Sequence, residues 1–170
     1  AIPGHHLQNA LNLENDNLSL YRRFGYYTSA FGEGWALYSE RLSLEIGLAN
    51  DPYDELGVLQ SELFRAVRLV VDTGMHFKRW TREEAMDYMK KITGMSDTEV
   101  TVEIERYIVW PGQACSYKVG MLKILELREK AKQELGENFD IRDFHSAVLD
   151  HGEPPLFIVE ELVSEMTNNR

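Results

Sequence analysis

The spacing of apolar residues constrains this chain most. Almost everywhere they recur at three and four residues, the period of a helix that buries one face, and nowhere do they alternate convincingly as in a half-buried strand. From Gly34 to Leu48 the apolar residues fall on a broad stripe that includes Trp35, Ala36, Leu37 and Leu44, which predicts one long helix. Asp51 as N-cap and Pro52 at the first helical position open another, expected to run to about Lys78 with Leu56, Leu59, Leu63, Ala66, Val67, Val70 and Val71 on its stripe. Thr81 with Glu84 and Ser96 with Glu99 each make a capping box, in which a hydroxyl and a carboxylate satisfy the free amides of a helix start. Helices are therefore expected at about 82–92 and 97–109. Beyond Pro111 the pattern predicts helices over 112–135, ending at Gly136, near 141–150 after Asp140, and near 155–167 after Pro154-Pro155. Gly94, Pro111, Gly136 and Gly152 are single-residue punctuation, too short for interdomain linkers, and no internal repeat or low-complexity tract appears. The expectation is an all-α, multi-helix orthogonal array forming a single helical subdomain over residues 1–170.

The chain's 170 residues, 44% hydrophobic and 27% charged, suffice for a core without disulfide or metal. Its formal net charge of −10, with no basic run longer than Arg22-Arg23, argues against nucleic acid, because phosphate binding needs clustered Lys and Arg. No apolar run approaches the ~18 residues of a transmembrane helix. The opening Ala1-Ile2-Pro3-Gly4-His5-His6 carries no signal-peptide pattern and no initiator Met, and reads as cut from a longer chain. The single cysteine, Cys115, excludes an intrachain disulfide.

Residues able to carry chemistry concentrate in the first 40 positions. His5 and His6 lie in one short segment, and Glu33 lies at the start of the long helix. Two imidazole nitrogens and a carboxylate suit zinc, and a two-His, one-Glu set leaves a fourth position for water. Against this stands the plainer reading of solvated histidines and of a Glu favoured by a helix N-terminus.

The segments Ala1-Ile2-Pro3-Gly4-His5-His6-Leu7-Gln8, Glu33-Gly34-Trp35-Ala36-Leu37-Tyr38-Ser39-Glu40, Arg68 to His76, Arg106-Tyr107-Ile108, Pro111 to Gly120, and Phe144-His145 with Gly152 and Pro155-Leu156 resemble, in order and over essentially the whole chain, the bacterial DUF885 family. Its members look like zinc metallopeptidases of the gluzincin type. The resemblance implies the C-terminal part of a gluzincin-like helical metallopeptidase catalytic domain that hydrolyses peptide or amide bonds with a zinc-activated water. The family motif His-Glu-x-x-Pro-Gly-His places Ala1 and Ile2 at the variable positions, with the first His and the catalytic Glu expected just upstream of Ala1. It implies His5 as a zinc ligand with His6 as fallback, Glu33 as the third ligand, and Glu40 behind them as acceptor for a ligand His.

Tyr117 and His76 are candidate donors to the oxyanion of a tetrahedral intermediate. Tyr117 also reads as an ordinary helix residue, and Asp72 as a residue that orients His76 or caps a turn at Gly74. Arg68 and Arg106 suit a substrate carboxylate or a structural ion pair, and Tyr107 lines a cleft or packs. His145 and His151 read as structural or surface residues. The expected partners are a peptide substrate and the remainder of the parent chain, itself an exported protein or lipoprotein in many members. Two alternatives stand beside this: a non-catalytic helical scaffold, and a cysteine hydrolase using Cys115 near a helix start, where a thiol pKa can fall.

Overall fold

The computed structural model describes residues 2–48 and 51–169. Ala1, the first variable position of the motif, lies outside them. The described residues contain eight α-helices and no strand: α1 Leu7–Glu14, α2 Ser29–Glu45, α3 Pro52–His76, α4 Arg82–Thr93, α5 Asp97–Val109, α6 Gln113–Leu135, α7 Ile141–Leu149 and α8 Leu156–Asn168. None of the helices is long and apolar enough to cross a membrane. Asp51 caps α3 by accepting the Tyr53 amide, with Pro52 at the first position, and both capping boxes form in full, Thr81 with Glu84 and Ser96 with Glu99. Asp140 caps α7 through the Arg142 amide.

Three features depart from expectation. α2 begins at Ser29, more than a turn before Gly34, because Thr28 starts the helix by accepting the Phe31 and Gly32 amides at 3.0 Å. It ends at Glu45, where Gly47 takes φ +73°. α1 carries Leu7, Ala10 and Leu11 at helical spacing, yet the residues it buries are polar, Gln8 and Asn12. On α3, Leu56, Leu59 and Leu63 are exposed, whereas Val67 and Val71 are buried.

The chain divides into two compact units. One comprises residues 41–118, where Val67 and Val71 of α3, Ala85 and Met89 of α4, Val100, Ile104 and Tyr107 of α5, and Ala114 of α6 form the core. The other comprises residues 1–40 and 119–170. Its buried apolar residues include Phe31, Trp35 and Tyr38 on α2, Met121, Ile124 and Leu127 on α6, Phe144 and Val148 on α7, and Val159 and Val163 on α8.

In this second unit α2 and α6 meet backbone to backbone. A Cβ on Gly34 would stand 2.5 Å from the Gly120 Cα, and one on Gly120 would stand 1.8 Å from the Ala30 carbonyl oxygen. Only glycine fits either position, which fixes the height of α2, and with it Glu33, against α6.

Candidate metal centre

His5 is positioned by the backbone that precedes it. Residues Ile2–His6 form a single wide helical turn broken at Gly4, whose ψ is −130°. Two buried side chains of α2 hold this turn: Trp35 donates its indole N–H to the carbonyls of Pro3 (2.9 Å) and Gly4 (3.3 Å), and Ser39 donates its hydroxyl to Pro3 at 3.0 Å. The helix that grips the turn also carries Glu33. The His5 Nε2 and the Glu33 Oε2 consequently stand 3.2 Å apart, with the imidazole half exposed and the carboxylate 14% exposed.

That separation is an ordinary ion-pair distance, and it also matches the spacing of two ligands on one zinc ion. Ligand bonds of about 2.0–2.1 Å at a tetrahedral angle set nitrogen and oxygen about 3.3 Å apart. The pair fits as two donors of a set and does not complete one. Among the described residues no group of three or more His, Cys, Asp or Glu is arranged to hold a metal ion.

Around the pair the side chains are ordered. The Tyr27 hydroxyl donates to Glu33 Oε1 at 3.3 Å. Burial, reinforced by the Glu33 charge, pushes the Tyr27 phenol up to about 12, so it remains a donor near neutrality. His6, the fallback ligand, is exposed at the end of the same turn. Glu40 lies seven residues beyond Glu33, on the same face of α2, and is half-buried. His145 is structural: its Nε2 lies 2.8 Å from the Tyr38 hydroxyl and its ring packs edge-on against Trp35 and Tyr38.

Sequence reasoning passed over Glu153. Gly152, at φ +82°, turns the chain so that the next side chain points inward, and Glu153 is only 7% exposed. Its Oε2 accepts the Thr28 amide at 3.4 Å, its carbonyl accepts the Thr28 hydroxyl at 2.8 Å, and the Gln8 side chain bonds its carboxylate. Burial raises its carboxyl above the usual range; the Thr28 and Gln8 bonds and the nearness of His5 counter this, and Glu33 adds to it. The available signal was an isolated acid between a glycine and two prolines, which looks like any loop residue.

The remaining candidates gather in the 41–118 unit. Arg68, 4% exposed, donates from Nε to the Tyr107 hydroxyl (2.9 Å) and from Nη2 to Glu103 (3.0 Å), while Tyr107 donates to the same carboxylate oxygen. Burial, above all, keeps the Tyr107 phenol protonated. This closed brace joins α3 to α5, yet it leaves Arg68 Nη1 buried with no hydrogen-bond partner. The Arg68 guanidinium stacks 4.8 Å from the Tyr117 ring centroid. Arg106 bonds both the Gln113 amide oxygen (2.7 Å) and the Tyr117 side chain.

Asp72 is buried, and both its oxygens accept the Gly112 amide at 3.1 Å, so the turn it caps is the one before α6 and not one at Gly74, which lies inside α3. His76 bonds through Nε2 to the Tyr107 carbonyl at 2.9 Å, capping the end of α5. Burial and the Asp72 charge push the Cys115 thiol up to about 11, the opposite of what a helix start was expected to do.

Residues 1–163 match the family described as bacterial proteins of unknown function, DUF885. The solved structure of a "putative lipoprotein" from Colwellia psychrerythraea is 54% identical and superposes with a TM-score of 0.96 over all of this chain. This chain spans 29% of that protein's length. No curated protein matches the sequence. The match over residues 1–163 shows the chain to be a member of the DUF885 family.

Proposed function

We propose that this chain supplies two ligands of a zinc site, His5 and Glu33, in a gluzincin-like metallopeptidase that hydrolyses peptide or amide bonds. The observation that carries the reading is the 3.2 Å approach of His5 Nε2 to Glu33 Oε2, made by a turn that Trp35 and Ser39 fasten to the helix bearing Glu33. Zinc held there lowers the pKa of water toward 7 and polarises a carbonyl. The chain's own residues orient the ligands: Tyr27 holds one oxygen of Glu33, and Glu40 is assigned as acceptor for a ligand His.

In the 41–118 unit, Arg106 and the unpartnered Nη1 of Arg68 are the cations assigned to a peptide carboxylate, with Tyr107 fixing Arg68. Tyr117 and His76 are assigned as hydrogen-bond donors to developing negative charge, and Asp72 supports the turn that leads to Tyr117. Export of the parent protein, in keeping with the name of the Colwellia relative, is part of the same reading.

The test uses the longest natural chain that contains these residues. Purified protein is assayed for zinc content and for cleavage of a peptide library, with and without a chelator. Chelation should abolish cleavage, added zinc should restore it, and Glu33→Gln should lose both metal and activity. The 170-residue segment alone should bind zinc weakly and cleave nothing. Cleavage insensitive to chelators overturns the assignment.

A further inference from the structure

Between α3 and α4 the chain passes through Arg79, whose φ of +59° is the left-handed conformation that residues with a Cβ rarely adopt. Among the described residues no other non-glycine residue has a positive φ. Such a conformation persists only where its surroundings hold it. Here they hold Trp80. Its amide donates to the Gly74 carbonyl at 2.9 Å, and its ring lies so close to α3 that a Cβ on Gly74 would stand 2.5 Å from the Trp80 Cε3. The indole is fixed against a helix backbone that only glycine lets it approach.

That fixed ring is one wall of a pocket. Tyr88 on α4 sets its own ring 5.6 Å from that of Trp80, centroid to centroid, with the two planes inclined at 52°. Glu84, Asp87 and Lys91 complete the lining, and with Tyr88 they occupy one face of α4. The Glu84 Oε2 is held in place by the Thr81 amide (2.7 Å) and hydroxyl (3.1 Å). The pocket measures about 430 Å³, within the range of about 300–1,000 Å³ usual for small-molecule sites. By formal charge its lining carries two acids against one base.

Two rings beside a surplus of carboxylate select one class of guest. A cation within about 6 Å of a ring centroid is attracted by the negative face of the ring, and the acids add to that attraction. An anion meets both acids, and a neutral apolar guest gains nothing from them. We propose that the Trp80–Tyr88 pocket binds the ammonium group of a small organic cation, its carbon groups against the rings and its charge toward Glu84 and Asp87. Primary and quaternary amines share this chemistry. The pocket lies wholly within the 41–118 unit, and the proposal is independent of the zinc reading.

The test uses the longest natural chain containing these residues, labelled with fluorotryptophan, with Trp80→Phe identifying the Trp80 signal by fluorine NMR. Tetramethylammonium chloride should move that signal saturably, with a dissociation constant on the order of 1–10 mM. Butylammonium chloride should do the same, and the tighter of the two tells whether a quaternary or a primary amine is the better guest. Sodium chloride at equal ionic strength, and tert-butanol as a neutral molecule of similar size, should leave the signal in place. Tyr88→Leu and Asp87→Asn should each weaken tetramethylammonium about two- to fivefold. A shift that tert-butanol reproduces shows a pocket that is apolar and nothing more, and it overturns the proposal. So does a response no larger than that to sodium chloride, or unchanged affinity in both variants. Should Tyr88→Leu not fold, wild-type affinity in Asp87→Asn, whose side chain is exposed, overturns it.

Discussion

Replacing Gly120 by Ala puts a methyl group where α2 and α6 touch. The added carbon stands 1.8 Å from the Ala30 carbonyl oxygen, 2.7 Å from the Gly34 Cα and 3.0 Å from the Ala30 carbonyl carbon. All three are backbone atoms of a helix and cannot rotate aside. Restoring an ordinary carbon–oxygen contact of about 3.3 Å requires the helices to part by about 1.5 Å. A gap of that size forfeits at least a quarter to a half of the dispersion between neighbouring side chains. Overpacking costs about 1–3 kcal/mol, sometimes more, and the helix propensity gained over glycine returns about 1 kcal/mol. With this much backbone overlap the cost lies at the upper end, and the net loss should be about 2 kcal/mol, lowering the melting temperature by about 4–8 °C in a chain of this size. Gly57→Ala is the control: that glycine sits exposed inside α3 with nothing within 4 Å of the new carbon, so the same substitution should stabilise by about 0.5–1 kcal/mol. Differential scanning calorimetry of both variants reads the contrast. If Gly120→Ala melts at or above the wild-type temperature, α2 and α6 do not meet as described.

Four further outcomes follow from single contacts. Cys115, pushed from 9.0 to about 11, should react with iodoacetamide at pH 8 about 100-fold more slowly than an unperturbed thiol, with a rate still climbing at pH 10; a plateau below pH 9 would contradict its burial beside Asp72. Asp72, raised above 3.8 chiefly by burial, keeps its proton in the folded state where the unfolded chain has released it, so stability should fall as pH rises from 3.8 through the raised value. Asp72→Asn should lose that part of the pH dependence in urea titrations at a series of acidic pH values. Trp35→Phe removes the donor to Pro3 and Gly4 and should cut zinc affinity about tenfold, measured by chelator competition, while Tyr27 and Glu33 remain in place. Thr81→Ala removes the side chain on which one capping box depends and should cost about 1 kcal/mol in urea unfolding, without altering zinc affinity.

The helices of the 41–118 unit were legible because local chemistry and packing agree there. Asp51-Pro52, Thr81 with Glu84 and Ser96 with Glu99 announce helix starts through bonds a sequence can express, and all three form. The stripe on α3 was legible as a period and not as a face. Val67 and Val71 bury against α4 and α5, while Leu56, Leu59 and Leu63, in phase with them, stay exposed. Periodicity identifies a helix, but which turns of it are covered depends on where partner helices end, and that is not written locally. The start of α2 was missed for a related reason: Gly32 and Gly34 weaken its first turns on any propensity scale, yet Gly34 is there because Gly120 presses against it.

At the candidate site the limit of legibility is polarity itself. His5 and Glu33 could be picked out because their residue types suit a metal and their segments resemble a family, and the structure does bring them within 3.2 Å. What holds them there gave no such signal. α1 buries Gln8 and Asn12, so its apolar spacing, Leu7, Ala10 and Leu11, points to the wrong face. The Trp35 indole reads as core, and it is core, but its N–H is the bond that sets the His5 turn on α2. Glu153 arrives from 125 residues beyond Thr28 and meets the start of α2 only through the closed chain. A site of this kind is assembled from polar groups buried against one another, and each breaks the rule by which the rest of the fold was read.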